Sequence, residues 1–262
     1  MNSSDAPLES LWDEASRILR SAEARGVTLR LVGGVAVCMR CPSAMRAPLS
    51  RHRVDIDLIG HRKETARINQ LFRELGYKPR ERFNALQVTR LIFNDLKNSR
   101  RVDIFLDVFE MCHKFDFKKR MELEPNTLPL ADLLSTKLQI VEINEKDMKD
   151  ILAMLLDHEI SIEDGHDRIN GAYIAKMCAE DWGVYKTFTT NLQKIPDYAA
   201  KVGVDEEQRG HATEQAEKLR TLIEQVPKSM GWKMRAAVGE RKRWYELPEA
   251  DKEVMDSAAA GS

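Results

Sequence analysis

Three aspartates on two expected β-strands carry most of the chemistry this chain advertises. The first segment is Arg53-Val54-Asp55-Ile56-Asp57-Leu58-Ile59-Gly60, and the second is Arg101-Val102-Asp103-Ile104-Phe105-Leu106-Asp107-Val108. Side chains alternate across a strand, so Val54, Ile56 and Leu58 share one face while Asp55 and Asp57 stand on the other. In the second segment Val102, Ile104, Leu106 and Val108 form the apolar face, opposite Asp103, Phe105 and Asp107. Neighbouring carboxylates on a half-buried sheet repel one another and lose hydration, so a chain that keeps them usually neutralises them with cations. A pair of divalent metal ions is the economical solution.

Elements that position these strands are legible on either side. Residues 8–25 place Leu8, Leu11, Trp12, Ala15, Ile18 and Leu19 at helical spacing, and Gly26 closes the helix. A strand follows over residues 27–32 and runs into Gly33-Gly34, after which Val35 to Met39 starts another helix. Paired glycines between strand and helix allow a tight turn and bring bare backbone up to a bound group. Residues 41–53, with two prolines and four basic residues, read as a loop or broken helix. An amphipathic helix is expected over 62–75, ended by Gly76, then a strand over 83–93 and a turn at 94–98 leading to the second aspartate strand.

The character changes after Pro125. Residues 130–157 read as two helices separated by Asn144, and the stretch from 167 onward reads as further helices, with 158–167 a polar loop between them. The expected organisation is an α/β (α+β) core domain over 1–125 with a mixed sheet flanked by helices, an all-α domain over 126–248, and a disordered tail over 249–262.

The strand, Gly-Gly, helix, Asp-x-Asp strand and later Asp-bearing strand together resemble the DNA polymerase β-like nucleotidyltransferase superfamily. The residues that carry the resemblance are Val32-Gly33-Gly34, Asp55-Ile56-Asp57 and Asp103, with Asp107 as the alternative third carboxylate. The twenty residues between Gly34 and Asp55, with Arg51 or Arg53 shortly before Asp55, are similar to the abortive-infection type IV toxin branch. That resemblance implies two Mg²⁺ ions held by Asp55, Asp57 and Asp103, and an NTP bound by Gly33, Gly34, Arg53 and Lys137. It also implies transfer of a nucleoside monophosphate to a hydroxyl, with release of pyrophosphate. The branch's later lysine and aspartates match Lys137, Lys146-Asp147 and Asp150; read from the residues alone, Lys146, Asp147 and Asp150 form a solvated helix face.

Composition bounds the partners. The 262 residues are 43% apolar, enough for genuine cores, and carry a net charge of -1. Residues 1–120 hold 23 Lys+Arg against 15 Asp+Glu, and residues 121–262 hold 18 against 27. The half with the aspartate strands is the basic one, which suits a polyanion such as a nucleotide or RNA. No run of apolar residues is long enough to span a membrane, and the acidic, amphipathic N-terminal segment is unlike a signal peptide, so the expectation is a cytoplasmic protein. Four cysteines make no dense disulfide framework, and Cys38, Cys41, Cys112 and His113 give only a weak zinc signal. The acceptor is left open between RNA, including tRNA with an antitoxin partner, and a small molecule such as an antibiotic. A catalytically silent nucleotidyltransferase-like binding or antitoxin-type protein is the rival reading.

Overall fold

The computed structural model describes residues 6–247. The described residues divide into two compact units, one of residues 6–109 and 116–133, the other of residues 110–115 and 134–247. The expected tail over 249–262 lies outside the described residues.

The first unit opens with α1 (Leu11–Glu23). The Ser10 side chain accepts from the Asp13 N–H, acids occupy the first turn, and Arg20 sits in the last, so both helix ends are complemented. Gly26, at φ +62°, turns the chain into β1 (Leu29–Val32), which leads directly into α2 (Gly33–Arg40). A 3₁₀ turn over Pro42–Met45 and an irregular segment then reach β2 (Ile56–Gly60). After α3 (Thr65–Glu74) come β3 (Lys78–Pro79), α4 (Glu81–Leu86), β4 (Arg90–Asp95) and β5 (Arg100–Leu106). Two short strands, β6 (Val108–Glu110) and β7 (Lys114–Asp116), follow.

The main strand order is β1-β2-β5-β4-β3. Only β2 and β5 run parallel in this path; the β1–β2, β5–β4 and β4–β3 pairs are antiparallel, giving a mixed sheet. Its register separates two faces. Leu31, Leu58, Ile104 and Leu91 lie in one row across the sheet, and all are buried. Each such side chain taken from water stabilises the fold by about 1.5–3 kcal/mol. The next row, on the opposite face, is Val32, Asp57, Asp103 and Ile92. Core packing on the first face therefore fixes which residues stand beside one another on the second.

One expected strand is instead helical at its start. Residues 83–86 belong to α4, and the strand begins only at Arg90. Asn84 explains the arrangement: its side chain accepts from the Ile92 N–H at 2.8 Å and donates to the Ile92 carbonyl at 3.1 Å, tying the short helix to β4. The apolar alternation of this segment ends in exposed side chains, with Leu86 83% and Val88 57% exposed.

The second unit is mostly helical: the end of α5 (Leu130–Leu138), then α6 (Glu145–Asp157), α7 (Gly171–Glu180), α8 (Trp182–Gln193), α9 (Ile195–Val202), α10 (Glu206–Gln225) and α11 (Met230–Val238). Asn144 caps α6 by accepting from the Lys146 and Asp147 N–H groups. The residues expected as a polar loop contain β8 (Glu159–Ser161), which pairs in parallel with β9 (Arg168–Asn170), and Ile160 and Ile169 are buried there.

Candidate active site

Asp57 and Asp103 are direct partners across the parallel β2–β5 ladder. Both stand on the face opposite the apolar row, Asp57 near the start of β2 and Asp103 at the middle of β5. Asp55 lies one residue before β2, because β1 ends at Val32 opposite Asp57 and the chain turns away at Gly33. Asp55 is exposed, Asp57 is half-buried and Asp103 is 4% exposed. The three are close enough that Arg101, drawn down by burial, is held above its ordinary value by Asp103 and by the charges of Asp55 and Asp57.

The glycine turn borders the same carboxylates. Gly33 has φ +66°, and a Cβ built on it would run into the Asp57 carboxylate. A Cβ on Gly34 would lie 2.5 Å from an Arg51 guanidinium nitrogen. Arg53 donates from Nε to the Gly34 carbonyl at 2.9 Å and from a terminal nitrogen to the Arg51 carbonyl at 3.0 Å. Gly33, Gly34, Asp57, Arg51 and Arg53 therefore form one neighbourhood, in which the glycines leave no side chain between backbone and carboxylate.

Asp103 is already engaged by two arginines. Arg90 approaches Oδ1 with Nε at 2.9 Å and a terminal nitrogen at 2.7 Å. Arg101 places a terminal nitrogen 2.8 Å from Oδ1 and Nε 2.7 Å from Oδ2. The Arg90 guanidinium also lies over the Phe105 ring, 5.2 Å from its centroid. Neither arginine is among the expected site residues. Arg101, two residues before Asp103 on one strand, shares its face by simple alternation. Arg90 becomes visible only once β4 pairs with β5, opposite Phe105.

Asp107 does not join the acids. It sits after the end of β5 with φ +62°, and Oδ1 lies 3.2 Å from His61 Nδ1. His61 Nε2 meets Glu122 at 3.1 Å, and this contact holds the Glu122 carboxyl below its usual range. The left-handed turn breaks the alternation that would have put Asp107 on the face of Asp103.

Lys137 belongs to the second unit. Its ammonium lies 2.9 Å from Asp147 and 3.0 Å from Asp150, and all three are buried. Burial pulls the lysine down, but Asp150 and Asp147 more than offset this, so it stays charged. The expected solvated face of Asp147 and Asp150 is instead a buried ion triad.

Among the described residues no group of three or more His, Cys, Asp and Glu is arranged to hold a metal ion. Asp55 and Asp57 supply the oxygen donors that a hard cation such as Mg²⁺ prefers, beside a bare glycine turn. Asp103 does not fit as a third ligand in this arrangement, because its oxygens are taken up by Arg90 and Arg101. None of the four cysteines forms a disulfide, and all are buried. No helix among the described residues is long and apolar enough to cross a membrane.

No family model matches the chain, and no curated protein matches it. Among solved structures it is similar to the antibiotic-resistance factor ANT(2'')-Ia, with 12% identity and a TM-score of 0.36 over 86% of this chain and 92% of that one. It is also similar to an antigenic nucleotidyltransferase-like protein from Paracoccidioides brasiliensis, with 16% identity and a TM-score of 0.45 over 75% of this chain and 94% of that one.

Proposed function

We propose that the protein is a nucleotidyltransferase that moves a nucleoside monophosphate from an NTP to a hydroxyl acceptor, using the acidic face of its sheet. The observation that carries this reading is the side-by-side pairing of Asp57 with Asp103 next to a glycine turn that leaves the Asp57 carboxylate no room for a Cβ at Gly33. In this reaction the acceptor oxygen bonds to the α-phosphorus, the bond to the bridging oxygen of the β-phosphate breaks, and pyrophosphate leaves. The bare Gly33-Gly34 backbone and the N-terminal end of α2 face the phosphates. Asp55 and Asp57 would hold a divalent ion, which when bound neutralises the triphosphate and lowers the pKa of the acceptor hydroxyl.

The sign of the charge near this face favours an anionic acceptor. A cavity of about 740 Å³ in the first unit is lined by Arg51, His52, Arg53, Lys97 and Arg100, with Glu9 as its one carboxylate. Such a lining attracts phosphates and repels a polycationic small molecule. We therefore favour an RNA hydroxyl as acceptor, tRNA on the toxin-branch resemblance with an antitoxin to restrain it, over an antibiotic. The rival reading, a silent nucleotidyltransferase-like binding protein, draws its support from the engagement of Asp103 by two arginines.

Incubation with each labelled NTP, Mg²⁺ and total RNA separates the two, using the parent and the Asp55→Ala and Asp57→Ala variants. Transfer by the parent that both substitutions abolish is the expected result. Nucleotide binding without transfer of any NTP would favour the silent protein.

A further inference from the structure

We propose that Asp103 acts as an anchor and not as a metal ligand: it fixes Arg90 and Arg101 beside Asp57, and the two guanidinium groups bind nucleotide phosphate in place of a second divalent ion. The identity of the ligand rests on the transferase reading above; the anchoring geometry does not.

The contacts argue for a permanent assembly. Four nitrogen–oxygen approaches of 2.7 to 2.9 Å converge on one carboxylate that is almost fully buried. For Asp103 to ligate an ion it would have to release these contacts and withdraw its own charge from both guanidinium groups. The arginines are also fixed from other directions. Arg90 packs over the Phe105 ring, and Arg101 projects from the same strand and face as Asp103.

Charge accounting gives the arrangement a purpose. Two guanidinium groups carry the same charge as one divalent ion, and an arginine has five N–H donors, more than a shared carboxylate takes up. The side chains of Arg101 and Arg90 are 42% and 24% exposed, so the pair is open to a ligand on the acidic face. Arg101 lies within the field of Asp55 and Asp57, which places its positive charge where their ion and the triphosphate would meet. The expected site thus holds one ion, at Asp55 and Asp57, with the arginine pair supplying the remaining positive charge.

The test counts ions and does not depend on turnover. Mn²⁺ binding to the full chain is titrated by electron paramagnetic resonance with α,β-methylene ATP or GTP present, and nucleotide affinity is measured in parallel. One Mn²⁺ per chain is expected, retained in Asp103→Asn and lost in Asp55→Asn. Arg101→Gln, at the more exposed arginine and so the less disruptive to folding, is expected to weaken nucleotide binding at least about tenfold while keeping the ion. Two ions in the parent, one of them lost in Asp103→Asn, would overturn the proposal and leave the transferase reading intact. Unchanged nucleotide affinity in both Arg101→Gln and Asp103→Asn would reduce the arginines to simple neutralisers and overturn it as well. Neither ion nor nucleotide bound to the parent would overturn both this proposal and the transferase reading.

Discussion

Gly33→Ala isolates the contact between the glycine turn and the acidic strand. Gly33 holds φ +66°, and an alanine in that left-handed conformation costs about 1–2 kcal/mol. The new Cβ would also lie 3.0 Å from Asp57 Cγ and 3.1 Å from Asp57 Cβ, forcing the carboxylate off its rotamer for about 0.5–1.5 kcal/mol more. The substitution should therefore destabilise the first unit by about 1.5–3.5 kcal/mol, the sum of those two costs. Repeating it in an Asp57→Ala background removes the carboxylate but not the backbone strain, so the penalty should fall to about 1–2 kcal/mol and leave a coupling of about 1 kcal/mol. Gly34→Ala is the control: its φ is not positive, its Cβ meets the flexible ends of Arg51 and Arg53 and no carboxylate, and it should cost less than about 1 kcal/mol. Urea denaturation of the parent, the three variants of the Gly33–Asp57 cycle and Gly34→Ala reads these values. A Gly33→Ala penalty below about 0.5 kcal/mol, or one that is the same with and without the Asp57 carboxylate, would refute the packing argument.

Two further predictions concern the second unit. Lys137→Met strands Asp147 and Asp150 in a buried site and should cost about 3–5 kcal/mol in urea denaturation at pH 7; a cost near zero would mean the triad is not buried in solution. His113 donates or accepts at Thr187 Oγ1 over 2.9 Å, and burial pushes its imidazole down to about 4, against a weaker upward pull from Asp181. Because its folded pKa lies below the ordinary value of about 6.5, the folded state binds fewer protons than the unfolded one. Its contribution is therefore present above about pH 6.5 and is lost as pH falls towards 4. Between pH 7 and pH 4.5 the parent should lose about 2–3 kcal/mol more stability than His113→Gln; parallel losses in the two proteins would contradict the assignment.

The sequence exposes what depends on local period and hides what depends on neighbours. Alternation predicts Asp57 and Asp103 on the face opposite the apolar row, where the ladder pairs them, whereas Asp55 falls one residue before β2; the glycine pair follows a strand and opens a helix, as expected. Asp107 escaped because one residue at φ +62° ends the alternation, which residue types alone do not reveal. The clamp on Asp103 needed the β4–β5 register, and only half of it, Arg101, is local. Asp147 and Asp150 look like an ordinary charged helix face in the sequence; their burial follows from tertiary packing and from Lys137, ten residues upstream of Asp147. Residues 83–86 alternate as a strand would but form the end of α4, where Leu86 is left in solvent, as Val88 is beyond it, and Asn84 ties the helix to β4.

The central claim is that the acidic face of the first unit transfers a nucleoside monophosphate. It is tested most directly by comparing NTP labelled at the α-phosphate with the same NTP labelled at the γ-phosphate, in the parent and in Asp57→Asn. The account expects the α-label to reach the acceptor, the γ-label to leave as pyrophosphate, and Asp57→Asn to lose the transfer. Transfer of the γ-label, or α-label transfer undiminished in Asp57→Asn, would contradict it.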